Sequence, residues 1–260
     1  TGANGYIGTF LKKKLKHKYK IKTLGKNVKN DYKIDLSNTK KVNNFFSKSK
    51  FDCVIHCAAN VPGKKNKIFS KKNYSINHLF TENIVKNHKT SIIFISSTKV
   101  YNKFARIGYP FPIQVNKLSD YASSKILSEN LIINKVNKHL ILRVPSVIGP
   151  NVKNGLLYKT IKKKFILKKI PQDNWCLISI QHLLKPIESF IKGKLSNGIH
   201  NIGYDVNYSF SNILNYTYKL KNINHKIKTT KNFKLFLAKK FQIDKKYYFK
   251  DLKNYILNIK

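Results

Sequence analysis

The sequence predicts an α/β chain: a doubly wound parallel sheet followed by a small α/β C-terminal lobe. Three observations predict it. A glycine turn, Gly2, Gly5 and Gly8, runs straight into an amphipathic stretch marked by Ile7, Phe10, Leu11 and Leu15. Short, almost wholly apolar runs recur at Cys53–Ala59, Ile92–Ile95 and Leu140–Val144, as buried parallel strands require. Helical patterns separate these runs, so each pair reads as a strand–helix–strand unit.

Composition narrows the class. The chain has 260 residues and is 42% hydrophobic, enough for a sizeable core. No apolar run approaches the roughly 20 residues of a bilayer span, so no membrane partner is expected. Cys53, Cys57 and Cys176 form no CxxC pair, and buried thiols in a reduced, cytoplasmic protein are expected. The net charge is +41, from 52 basic and 11 acidic residues. The lysines spread along the whole chain. Arg106 and Arg143 are the only arginines, although arginine suits bidentate phosphate and base contacts best. A basic, solvated surface follows, with no specific nucleic-acid partner and weak polyanion binding at low salt. No residue precedes Thr1, and Met is absent. A glycine turn of this kind normally follows a central strand. The first strand is therefore expected to be missing from the chain, with a gap in the sheet between Ile21–Leu24 and Cys53–Cys57.

The elements follow in order. Gly2 can take a backbone conformation closed to other residues. Gly5 lets the main chain approach a pyrophosphate, and Gly8 lets the helix pack hard on the sheet. The helix N-terminus then offers free N–H groups and a positive dipole end to phosphates. Taken alone, the same glycines fit a turn that merely caps a helix. Lys12, Lys13, Lys14, Lys16 and Lys18 crowd the other end, where the dipole favours cations. Ile21–Leu24 reads as the next strand, ending at Gly25 and Lys26. An acid at this place would take the ribose hydroxyls. Lys26 instead suits the 2′-phosphate of NADP, or is one more surface lysine. Tyr32–Ile34 is a short strand, followed by Asp35, Leu36 and Ser37. Asp35 either bonds an adenine amino group or serves as a loop or capping acid. Ser37 or Asn38 caps a helix through Val42, Phe45 and Phe46.

The Cys53–Ala59 run ends in small residues, and Ala58 and Ala59 would let a dinucleotide cross the strand end. His56 reads as a buried neutral imidazole paired to backbone. A polar loop is expected over Lys64–Lys72 and a helix over Tyr74–Val85. Asn77 lies beside the apolar face of that helix and needs a defined partner. Ile92–Ile95 ends in Ser96, Ser97 and Thr98, hydroxyls at the edge where α/β sheets bind ligands. After a loop containing Pro110 and Pro112, Tyr121 and Lys125 share a helical face one turn apart. Leu140–Val144 is a further strand, left through Pro145–Pro150. Beyond Asn151 the pattern weakens. Gly155–Leu167, Ser179–Ile191 and Ser209–Leu220 read as helices, and Ile199–Ile202 as a strand. A dinucleotide-binding domain is placed at 1–150. A mainly substrate-binding lobe is placed at 151–260, with some segments returning to the first domain.

Chemistry gathers at the strand ends. A phenol with a pKa of about 10 is a poor base at neutral pH. A lysine one turn away, with a positive nicotinamide ring, favours the phenolate. Tyr121 could then take a proton from a sugar hydroxyl while hydride leaves to the cofactor. Ser97 would bond the same oxygen, and Lys125 would also hold the nicotinamide ribose. A lone Tyr–Lys pair is common on surfaces. The ordered set of glycine turn, Asp35, Ala58 and Ala59, Ser97 and Tyr121/Lys125 is far more specific.

That set resembles the extended short-chain dehydrogenase/reductase family, the NAD-dependent epimerase/dehydratase group acting on nucleotide sugars. TGANGYIG resembles its TGxxGxxG, VIHCAA its fourth-strand motif, SSTKVY its serine motif and YASSK its YxxxK. LRVPSVIGP and GIHNIG resemble later family segments. The resemblance implies a Rossmann-like domain, a nucleotide-sugar substrate held by the small lobe, and a homodimer built from two helices per subunit. It implies catalytic roles for Ser97, Tyr121 and Lys125, and no metal. It implies NAD or NADP held by Gly2, Gly5, Tyr6, Ile7, Gly8, Lys26, Asp35 and Leu36. Ala58, Ala59, Asn77, Ser96, Tyr121, Lys125, Val144 and Pro145 complete that set. Three positions depart from the family. Thr98 and Lys99 stand where dehydratases carry Asp-Glu, so 4,6-dehydration is not expected. Asn151 stands where the fucose-synthase branch has His, and Ile180-Gln181-His182 where the family has Val-Asp-Asp. A C-4 type epimerase or a keto-sugar reductase remains. The alternative is a non-catalytic dinucleotide- or polyanion-binding protein, which the intact Ser97, Tyr121 and Lys125 speak against.

Overall fold

The computed structural model describes residues 1–61, 71–101, 118–152, 155–163, 176–205, 208–223 and 242–259. Along the first part of the chain run α1 (Tyr6–Leu15), β1 (Leu24–Gly25), β2 (Tyr32–Lys33), α2 (Thr39–Ser47), β3 (Val54–His56), α3 (Lys71–Asn87), β4 (Ser91–Ser97), α4 (Asp120–Lys135) and β5 (Lys138–Val144). Then come β6 (Ser146–Ile148), α5 (Leu156–Lys163), β7 (Leu177–Ser179), α6 (Leu184–Ile191), β8 (Gly198–Asn201), β9 (Gly203–Tyr204), α7 (Phe210–Leu220), β10 (Gln242–Ile243) and α8 (Lys246–Leu257). The described residues form two compact units. One holds those up to Arg143 together with Leu184–His200, and the other holds Val144–Leu183 and those from Asn201 on.

The central sheet of the first unit has the order β3-β4-β5-β8, with β3 parallel to β4. Every residue of β4 is buried, and in β5 all but Lys138 are, which is why both read as unbroken apolar runs. Ile84, Ile92, Phe94, Ile132 and Ile141 form the heart of the core, each at most 1% exposed. α1 turns Gly8, Leu11 and Leu15 inward. Asn38 caps α2 by accepting from Lys41 N at 3.0 Å.

β1 and β2 pair in parallel but form a sheet of their own. No ladder joins β1 to β3 among the described residues, so the expected gap is present. A cavity of about 510 Å³ fills it, lined by Leu11, Leu15, Ile21, Thr23, Cys53 and Ile55 among others. Thr1 stands at its end. Its amine donates to Ile55 O at 2.8 Å, and its carbonyl accepts from Cys57 N at 3.3 Å, as in a parallel ladder. β1 covers only Leu24–Gly25 of the strand expected over Ile21–Leu24, and Ile21 and Lys22 line the cavity.

In the second unit β6 pairs in parallel with β7, and β9 with β10. Tyr204, Ile213, Leu214, Tyr248, Leu252 and Ile256 are its fully buried core. The single helix expected over Ser179–Ile191 is not formed. Ser179 ends β7, a one-turn helix covers Ile180–Leu183, and α6 begins at Leu184. Pro186 gives the reason. In a helix starting at Ser179 it would be interior and would break a backbone bond, whereas in the first turn of α6 it costs none. α3 starts at Lys71, earlier than expected. Residues 64–70 of the expected loop, Pro110, Pro112 and residues 164–167 lie outside the described residues.

Candidate active site

The glycine turn is built by close approach. Gly2 has φ +69°, and a Cβ there would lie 2.6 Å from Ala58 N. A Cβ on Gly8 would collide with the Gly2 carbonyl. The turn closes through Gly5 N donating to Gly2 O at 2.9 Å. Gly5 caps α1 without any side-chain bond, and the first turn carries no acid. The first N–H groups of α1 therefore face outward without helical partners. A cradle that any side chain would fill, at a positive helix end with no competing carboxylate, fits a pyrophosphate. Tyr6 and Ile7, both half-buried, open the helix. The Tyr6 hydroxyl has no partner among the described residues, and burial pushes it up to about 12.

β2 leads into Asp35, which is spoken for. Lys26 Nζ lies 2.9 Å from its Oδ2, and Ser37 N donates to Oδ1 at 2.9 Å. Burial alone would raise this carboxyl, but the Ser37 bonds and the Lys26 ammonium outweigh it and hold it low. Leu36 is buried in the core, and its carbonyl accepts from Asn83 Nδ2 at 2.8 Å. Ala58 and Ala59 follow β3, half-buried. Asn77 makes both its bonds to Asn60, accepting from N at 2.6 Å and donating to O at 3.0 Å. It thus fixes the segment that carries the two alanines.

His56 is buried, and burial, then Lys125 and the Thr1 amine, hold its pKa well below the usual value. It is neutral, as expected, but its partners are hydroxyls and not backbone. Thr1 Oγ1 lies at 2.8 Å and Thr81 Oγ1 at 3.1 Å. Thr81 then donates to Ser128 at 3.0 Å, which ties α3 to α4.

β4 delivers Ser96 and Ser97. Ser97 Oγ accepts from Lys99 N at 3.2 Å and caps the one-turn helix Thr98–Val100. Ser119 caps α4 by accepting from Ala122 N at 3.4 Å, which sets Tyr121 in the first turn. α4 packs against β4 and against the one-turn helix that Ser97 caps. Lys125 Nζ donates to Ile95 O at 2.9 Å and lies over the Phe94 and Tyr121 rings, 4.5 and 5.8 Å from their centroids. Burial pushes its amine down to about 8, against the raising influence of Cys57 and Glu129. Val144 and Pro145 are buried and belong to the second unit.

One pair escapes the sequence. Arg143 Nη2 meets Glu129 Oε2 at 2.6 Å, and Nε reaches both carboxylate oxygens at 3.2 Å. The side chains are 2% and 1% exposed. Ser96 donates to the same carboxylate, and Arg143 Nη1 donates to the Tyr101 hydroxyl at 3.0 Å. An arginine inside an apolar strand was the available signal, since a buried charge demands a partner. In the second unit Asp251 accepts from Gln181 at 3.0 Å and from Tyr204 at 2.7 Å, with His182 Nε2 at 2.7 Å. Gln181 and His182 thereby fasten α8. Among the described residues no group of His, Cys, Asp or Glu could hold a metal, and no helix is long and apolar enough to cross a membrane.

The profile of the NAD dependent epimerase/dehydratase family matches residues 1–170. No curated protein matches. Among solved structures, the dTDP-4-dehydrorhamnose reductase of Yersinia enterocolitica is 20% identical with a TM-score of 0.78, over 100% of this chain and 98% of that one. The Bacillus anthracis dTDP-4-dehydrorhamnose reductase, in complex with NADP, is 19% identical with a TM-score of 0.76, over 98% and 95%. The UDP-Glc/GlcNAc 4-epimerase of Campylobacter jejuni is 19% identical with a TM-score of 0.75, over 99% and 96%. These likenesses establish the fold: a Rossmann-like α/β chain.

Proposed function

We propose that this chain, which belongs to the NAD dependent epimerase/dehydratase family, transfers hydride at a carbon of a nucleotide-activated sugar, as a 4-epimerase or a keto-sugar reductase. The observation that supports the reading is the packing of α4, which carries Tyr121 and Lys125, on β4 and on the one-turn helix that Ser97 caps. NAD or NADP is the cofactor, and the cytoplasm, with its reduced thiols, is the place of action.

When bound, the nicotinamide supplies the hydride acceptor or donor. The Gly2–Gly8 turn and the first N–H groups of α1 hold the pyrophosphate. Tyr121 moves the proton at its hydroxyl oxygen, taking it from the sugar hydroxyl on oxidation and returning it on reduction. Lys125, one turn away and cationic below about pH 8, stabilises the phenolate. Ser97 bonds the same substrate oxygen and orients it. Thr98 and Lys99 offer no acid–base pair for water elimination, so dehydration stands outside the reading.

Tyr121→Phe tests it. Turnover should fall about 100-fold or more, since the proton-transfer group is removed. Cofactor binding, followed by nicotinamide fluorescence, should be largely kept. Turnover at the wild-type rate would remove Tyr121 from the chemistry.

A further inference from the structure

The hydride chemistry makes no use of Glu129 or Arg143, yet both are buried against the strand end that carries it. Glu129 lies one turn beyond Lys125 on α4, so the two share a face. Both its carboxylate oxygens are committed. Ser96, next to Ser97, donates to one, and Arg143 from β5 grips both. Arg143 also holds Tyr101, which follows the one-turn helix that Ser97 caps.

We infer that Glu129, fixed by Arg143, is a positioning residue of this site: its carboxylate is the counter-charge of Lys125 and anchors the β4 end that presents Ser97. The inference rests on the reading of Tyr121 and Lys125 as the reacting pair. The groups facing Lys125 leave Glu129 that task. β4 gives it only the Ile95 carbonyl and the Phe94 ring. α3 meets α4 through the neutral hydroxyls of Thr81 and Ser128. From the β3 side come His56, held neutral by burial, and Cys57, which raises Lys125 only as a thiolate and whose thiol burial holds above its usual value and so protonated near pH 8. On α4 itself Tyr121 is the reacting group. Arg143 stands behind the carboxylate and draws its charge away from Lys125.

Two variants therefore act in opposite directions. In protein labelled with [13Cε]lysine, the Lys125 signal is the one lost in Lys125→Met. Its titration midpoint, near about pH 8 in the parent, should fall by about one unit in Glu129→Gln and rise in Arg143→Gln. A merely structural pair would destabilise both variants without opposed shifts. Midpoints that stay put, or move the same way, in variants with native circular dichroism overturn the inference. Should Glu129→Gln not fold, Arg143→Gln decides alone, and an unmoved or lowered midpoint overturns it. The pH profile of kcat separates this from the functional reading. Its alkaline limb should follow the midpoint. Midpoints that shift while turnover ignores them uphold the counter-charge and overturn the catalytic role of Lys125.

Discussion

In the proposed reaction, Tyr121 and Lys125 owe their roles to where burial puts them. At 3% exposure Lys125 loses its proton near pH 8, since a buried amine disfavours the cation. The amine is charged below that value and neutral above it. A rate that needs the ammonium ion is therefore full below about pH 8 and declines as pH rises through it. Initial rates between pH 6 and 10 check this, and a rate still rising at pH 10 would contradict it. Ser97, Tyr121 and Lys125 stand out in the sequence as candidates because the proposed chemistry demands those residue types at strand ends and at one-turn spacing. Glu129 and Arg143 were not legible as a pair. Arg143 is visible as an anomaly in an apolar run, but its partner is chosen by the packing of α4 on the sheet, 14 residues back in the chain. Asn77 is similar: the need for a partner is readable, and the identity of Asn60 is not.

At the level of elements, the glycine cradle and the sheet gap make separate demands. Gly8→Ala puts a Cβ against the Gly2 carbonyl, a backbone atom that cannot swing aside. Isothermal titration should show NAD(P) affinity lowered about tenfold or more, equivalent to about 1.4 kcal/mol, with helix content kept. Unchanged affinity would mean the turn does not hold the cofactor. The gap could be read from the sequence because a glycine turn of this kind follows a strand. The break in Ser179–Ile191 was half legible: Pro186 marks where a helix can begin, while the pairing that takes Ser179 into β7 comes from β6, some thirty residues earlier.

Taken whole, the molecule joins a tight glycine turn, a buried lysine beside a tyrosine and a basic surface. The charge of +41 favours the approach of doubly charged substrates such as the proposed nucleotide diphospho-sugars. The scattered lysines do not choose among them. In the second unit Gln181 and His182 replace the pattern familiar in the family and are tied to Asp251. Their roles were not legible because that unit is set by long-range pairing of two- and three-residue strands.

Hydride transfer itself is tested most directly by incubating the protein with nucleotide hexoses and their 4-keto forms in the presence of NAD, NADH, NADP or NADPH. Nicotinamide absorbance and the sugar products are followed together. The expected result is either consumption of reduced cofactor matched by keto-sugar reduction, or interconversion of 4-epimers without net consumption, and in both cases its loss in Tyr121→Phe. Sugars and cofactors left unchanged in every combination would contradict hydride transfer as the activity of this chain.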